Sequence, residues 1–376
     1  MIHALYVPQK LKIQYIANIR MPTEKAHGVQ IMKTCEAITR AGSIVELVVP
    51  NRKTDIMEDP FAYYAIEPSF TIKRVPVVDL IWLGRVGFWL ESASFALSAV
   101  AYALKHQAEV YYSRDEFPLW VLSFFVSSTV WESHTGRENF FTRRFMRAGR
   151  KCVVISHGLK EWYQTKKAGA AILVAPDAVD LRSFTHPESQ EAARQRLGLP
   201  ADKKIALYIG QLDGWKGVST LLEASKLFSA EDPLVAIIGG EKAGLQKLAA
   251  TYPKVLLLGP RPYTELADNQ AAADVLVLPN TGTDPVSVHF TSPMKLFSYM
   301  TSGRPIVASD LPSLKEVLTA ESAAFFTPDD PQSLAEAVRS MCSNPDRAAR
   351  LAARAKTDVL GYSWDARARS ILDFIA

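Results

Sequence analysis

The sequence predicts an α/β fold of two domains, each a parallel sheet wrapped by helices. Three observations lead there. At 376 residues the chain exceeds what one hydrophobic core comfortably organises. Short apolar runs alternate with stretches of helical period along its length. In the second half each run but the last is followed by small or turn-forming residues, Gly210, Gly239-Gly240, Gly259-Pro260, Pro279 and Ser309, which leaves room for a ligand across several strand ends.

The bulk properties narrow the class. With 43 Lys and Arg against 39 Asp and Glu, the charge is too balanced to argue for nucleic-acid binding. Cys35, Cys152 and Cys342 are too few and too far apart for a disulfide framework or a metal-ligand cluster, so no metal site is expected and a reducing cytoplasm suits them. The N-terminal stretch lacks the layout of a secretion signal, so a cytoplasmic location is expected.

After a loose start, Ile13 to Ala17 reads as the first strand, and Gly28 to Arg40, stopped by Gly42, as the first helix. The polar loop Asn18 to Gly28 between them is a ligand-facing position in such folds. Gly28 would let a substrate approach the backbone, while Arg20, Glu24, Lys25 and His27 read equally well as a plain surface connection. Ser43 to Val49 is a second strand. Val77 to Leu104 is the most apolar region, broken by Asp79, Arg85 and Glu91, and falls short of an uninterrupted membrane span. Glu109 to Tyr112 ends at Ser113-Arg114-Asp115, and Ser128 to Glu132 ends at Ser133-His134, which places His134 at a strand edge where chemistry sits. Arg137 to Lys151 interleaves six basic residues with Phe140, Phe141, Phe145 and Met146. Such a basic amphipathic helix can lie on anionic lipid, giving a peripheral membrane contact, although a solvated face over a core stripe is the preferred reading. Cys152 to Ser156 and Ala171 to Ala175 are further strands, and Pro176 to Asp180, then Pro187 to Pro200 around a short helix, mark the domain junction.

The second half carries strands at Ile205 to Ile209, Leu234 to Ile238, Val255 to Leu258, Val275 to Leu278, Ile306 to Ala308 and Ala323 to Phe326. Two strand-to-helix connections stand out. In Gly210-Gln-Leu-Asp-Gly-Trp-Lys-Gly217 the glycines permit close backbone approach, the helix from Val218 to Leu227 supplies positive partial charge, and Lys216 adds a full one. The spacing is not that of a Walker loop. Beyond Pro279, Ser292 and Pro293 read as N-cap and first residue of a helix stopped by Gly303. An ordinary capped helix is the bland alternative; together the two helix starts suggest anion-binding ends converging on a diphosphate.

Taken together, several motifs give the chain a family likeness. They are Pro22-Thr-Glu-Lys-Ala-His-Gly28, Tyr112-Ser-Arg114, Glu132-Ser-His134, Pro176-Asp-Ala-Val-Asp180, Tyr208 to Gly217, Ala273-Asp-Val-Leu-Val-Leu-Pro279, Ser292-Pro-Met-Lys-Leu-Phe297 with Gly303-Arg-Pro-Ile-Val307, and Ser363-Trp364. In order and spacing they resemble glycosyltransferase family 4, retaining enzymes of the GT-B fold that use nucleotide sugars. The resemblance implies two Rossmann-like domains facing across a cleft: residues 1–180 on the acceptor side, joined by a C-terminal helix within 360–376 that packs back onto them, and residues 181–359 on the donor side.

The resemblance also implies roles. Lys216 would hold the donor diphosphate and His134 would lie beside the transferred sugar, the two catalytic candidates. Gly28, Gly210, Gln211, Ser292, Met294, Lys295, Leu296 and Ser298 complete the donor site, the amides near Ser292, Met294 and Lys295 cradling phosphate and sugar. Arg20, Glu24, His27 and Arg114 line the acceptor side. The substrates would be a UDP- or GDP-sugar and a glycan, lipid-linked or small-molecule acceptor, with no cofactor. Preorganised donors and a cation at the diphosphate would stabilise the leaving group without a metal. The family's paired glutamates are replaced by Phe290 and Ser298, and its frequent arginine by Gln211. A nucleotide-sugar-binding relative that has lost catalysis is therefore a second expectation, and a sugar epimerase or phosphorylase of the same architecture a third.

Overall fold

A computed structural model gives the structure of residues 10–166 and 169–376. The chain divides into two compact units, residues 1–176 with 364–376, and residues 177–363. The irregular start expected before the first strand, and the segment where a secretion signal would lie, fall largely outside the described residues.

The N-terminal unit holds a parallel seven-stranded sheet in the order β3-β2-β1-β4-β5-β6-β7. Its strands are β1 (Lys12–Ile16), β2 (Ile44–Pro50), β3 (Thr71–Val75), β4 (Val110–Ser113), β5 (Thr129–Ser133), β6 (Lys151–Val154) and β7 (Ile172–Val174). Helix Ala26–Arg40 joins β1 to β2 and ends as expected, with Gly42 at φ +99°. It packs against helix Trp364–Ile375, which therefore belongs to this unit although it comes last in the chain.

Three expectations change here. The basic stretch from Arg137 to Lys151 is not one long helix: Asn139 caps Phe141 and Thr142, the helix covers only Phe140–Arg147, and Gly149 follows at φ +64°. The apolar region resolves into a turn at Ile81–Leu83 and a helix over Arg85–Lys105. By length and composition alone that helix could cross a membrane. Its one internal charge, Glu91, turns inward to Arg52 at 3.4 Å and Asn18 at 3.2 Å, which is how an acidic residue can interrupt an apolar run without facing solvent. Strand β3 was not foreseen, because its exposed edge sequence Thr71-Ile-Lys-Arg-Val75 lacks an apolar run.

The C-terminal unit is a parallel six-stranded sheet in the order β10-β9-β8-β11-β12-β13. Its strands are β8 (Ile205–Ile209), β9 (Leu234–Ile238), β10 (Leu256–Gly259), β11 (Val275–Leu278), β12 (Ile306–Ser309) and β13 (Ala324–Phe326). Alternate residues enter separate cores on its two faces, Leu207 and Leu276 on one, Ala206 and Val277 on the other. That double burial explains why these strands read as continuous apolar runs. The order reverses between β8 and β11, the switch point beyond whose carboxyl ends open sheets bind ligands.

Candidate functional site

At that switch point the phosphate-loop candidate is built tightly. A side chain at Gly217, φ +64°, would run into the Pro279 carbonyl, so only glycine brings the β8 loop this close to the end of β11. Helix Val218–Ser225 starts directly after it. Lys216 Nζ donates to Gln211 Oε1 and Asp213 Oδ2, each at 3.0 Å, with the ammonium largely shielded. Gln211 thus takes the place of a cation by holding one.

The opposite wall is helix Met294–Thr301, and here the expected cap is corrected. Pro293 is the N-cap residue, while Ser292 Oγ accepts from the Asp177 amide at 3.1 Å, a partner 115 residues away. The first helical amides, Met294 and Lys295, have no preceding carbonyl to bond within the helix. Tyr299 Oη accepts from the Ile209 amide at 2.8 Å and ties this helix to the end of β8.

Lys295 contributes more than its amide. Its Nζ donates to Tyr208 Oη at 2.7 Å and lies 4.2 Å above that ring, and Tyr208 donates in turn to the Gln211 carbonyl at 2.7 Å. The same amine stands 3.1 Å from where a side chain at Gly210 would begin. Burial first, then the charge of Lys216, draws its pKa well below the usual lysine range, partly offset by Asp213. Two ammonium groups therefore flank Gly210 and Gln211. Two cations against the single carboxylate of Asp213 leave an excess of positive charge that suits an anion. Sequence reasoning missed this side chain; the sign was Tyr208 just ahead of the loop, set to meet a lysine on the facing helix.

Two further polar groups lie nearby in the fold. Asn280, 1 % exposed, follows β11, and neither its amide oxygen nor its nitrogen has a partner among the described residues. Ser298 is buried, donating to the Lys295 carbonyl and accepting from Gln270 Nε2, both at 2.9 Å, so its hydroxyl proton is already committed inside the unit. Leu296 is core.

In the N-terminal unit a second constellation is centred on Glu132, fully buried on β5. Its carboxylate accepts from His134 Nε2 at 2.5 Å, Gln30 Nε2 at 2.7 Å, Arg367 at 2.8 Å and the Tyr112 hydroxyl. Burial alone would raise its pKa; Arg367, His134 and Arg114 together overcome that and hold it well below the usual carboxylate range. An ionised carboxylate only accepts, so His134 carries its proton on Nε2. Arg114 donates to Gln30 Oε1 at 2.8 Å. His27 is pulled down to about 4 by burial, Arg114, Lys25 and His134, and is neutral at pH 7. His27, Arg114 and His134 thus share one neighbourhood at the carboxyl ends of the strands. Arg20 and Glu24 are exposed. Gly28 is not an open approach, because Tyr64 and Thr23 occupy the space a side chain would need, so its smallness serves packing. Glu132 and Arg367 were not singled out as functional, since only folding brings the last helix beside β5.

Among the described residues no three His, Cys, Asp or Glu side chains gather into a metal-binding group.

Residues 189–358 match the family model of glycosyl transferases group 1. The matched residues lie within the C-terminal unit of residues 177–363. The D-inositol 3-phosphate glycosyltransferase of Kineococcus radiotolerans is 27% identical over 229 residues, which cover 54% of this chain and 51% of that one. The chain thus spans about half the length of the curated relatives it matches. Solved structures extend the likeness in fold beyond the matched residues. Sucrose-phosphate synthase from Thermosynechococcus elongatus superposes with a TM-score of 0.77 at 19% identity, over 96% of this chain and 97% of the other. Anabaena HepE, solved in complex with UDP and glucose, gives 0.71 at 17% identity, over 96% and 98%. The fold is GT-B, with the matched residues in its second Rossmann-like half.

Proposed function

We propose that the protein is a retaining, metal-independent glycosyltransferase of family 4 that moves a sugar from a nucleoside diphosphate sugar to a glycan, lipid-linked or small-molecule hydroxyl. The pairing of Lys216 and Lys295 around the Gly210 loop carries this reading. A pyrophosphate there would meet two ammonium groups and the starts of two helices, interactions that strengthen as negative charge develops on the leaving phosphate. The relatives support a sugar-transfer chemistry: one is named a D-inositol 3-phosphate glycosyltransferase, and HepE was solved with UDP and glucose. In the step itself the anomeric carbon loses its bond to the phosphate oxygen and gains one to the acceptor oxygen on the same face, and the acceptor proton passes to the departing phosphate. His134, oriented by Glu132, is assigned to the transferred sugar, and His27 and Arg114 to the acceptor.

The test is a screen of UDP- and GDP-sugars by thermal shift, followed by detection of released nucleoside diphosphate with and without EDTA. Binding and release by the natural chain, with Lys216→Ala losing at least about tenfold in affinity, is the expected result. Unchanged binding in that variant removes the lysine from the site. The committed hydroxyl of Ser298 favours one alternative, a nucleotide-sugar binder without turnover. In that case the natural chain binds donor but releases nothing, and Ser298→Glu, which restores the carboxylate that the family resemblance assigns to the ribose hydroxyls, tightens nucleotide binding.

A further inference from the structure

Along helix Arg85–Lys105 the residues Val86, Leu90, Leu97 and Leu104 are exposed. With Ala93 and Ala101 between them they recur every three or four positions and form a single stripe. A stripe turned to water is normally polar. This one is apolar from end to end, because the charges of the helix are Arg85 and Lys105 at its termini and Glu91 on its inner side. At its start the stripe broadens into Trp82 and Trp89, the former 79% exposed.

The neighbouring helices continue the surface. Helix Glu116–Leu122 packs between Arg85–Lys105 and Phe140–Arg147. Beyond its end Phe124 and Phe125 are exposed, and the Arg144 guanidinium lies 3.9 Å above the Phe124 ring. Phe140, Arg143 and Arg147 are exposed on the last of the three, which carries arginines and no acid of its own, Arg143 pairing with Glu138 just ahead of it at 3.1 Å. Exposed indole and phenyl rings beside arginines match the chemistry of a bilayer interface, where rings sit at headgroup depth and guanidinium groups meet phosphate.

We propose that this face of the N-terminal unit docks on the headgroup layer of an anionic phospholipid membrane. The helix lies along the surface and does not cross it. Its inner side, with Phe95, Ala99 and Ala103 buried and Glu91 paired to Arg52, is already committed to the unit. A second copy is a poorer occupant, since a two-fold contact through this face sets the same arginines against each other.

The experiment is flotation of the full chain with vesicles of pure phosphatidylcholine and of equimolar phosphatidylcholine and phosphatidylglycerol. Strong partition onto the mixed vesicles, weakened by salt, is expected. Trp89→Glu with Leu97→Glu lowers it at least about tenfold with an unchanged thermal melt, both sites being exposed. Arg143→Glu and Arg147→Glu lower the preference for anionic vesicles by about fivefold each. Failure of the folded protein to float with mixed vesicles, undiminished flotation of the Trp89/Leu97 variant, or a concentration-dependent dimer that this variant abolishes overturns the proposal.

Discussion

The ammonium of Lys295 rests against the Tyr208 hydroxyl at 2.7 Å, and burial, then Lys216 as a like-charged neighbour, lowers its pKa. Because the folded pKa lies below the unfolded one, the unfolded chain binds more protons between the two values. Stability therefore rises with pH across that window. Lys295→Met is expected to remove this rise and to raise the melting temperature of the ligand-free protein at neutral pH by about 2–4 °C, seen by calorimetry. The same variant should bind UDP at least about tenfold more weakly in titration calorimetry. In the natural chain UDP affinity should fall as pH climbs through the depressed lysine pKa, and the variant should lose that fall. At this scale the sequence brings Lys216 and Gly210 forward as phosphate candidates, because they lie in one short loop. It does not show that Ser292 serves Asp177 or that Ser298 serves Gln270, since those partners are distant in the chain and compete with the local roles.

Helix Trp364–Ile375 is fastened to the N-terminal sheet by Arg367, 3 % exposed, on fully buried Glu132. Removing one partner of such a pair strands the other charge away from water. Arg367→Met is expected to cost about 3–5 kcal/mol in denaturant unfolding, and the double variant with Glu132→Gln to cost less than the sum of the two single changes. The depressed Glu132 pKa contributes stability that is present above the ordinary carboxylate range and is lost as pH falls through the folded value. Glu132→Gln should therefore flatten the acid limb of a stability profile. Among the elements, buried strands are legible because both faces demand apolar side chains. The edge strand β3 and the limits of helix Phe140–Arg147 are not, because exposure relaxes the pattern and a local cap, Asn139, sets the start.

Each unit has its own sheet and core, so heating should give two calorimetric transitions, with UDP raising only that of residues 177–363. Deleting residues 364–376 should lower the other transition and leave the UDP-responsive one in place. The alternation of strands and helices makes the two-sheet plan readable from sequence, whereas the return of the last helix to the first unit is implied only by the family resemblance.

That return has a bearing on biosynthesis. Residues 177–363 are a continuous segment and can condense once they leave the ribosome, while residues 1–176 gain the helix that completes their unit only when residues 364–376 follow. Until they arrive, the β5 carboxylate lacks the Arg367 guanidinium, so the unit begun first is completed after the second is made.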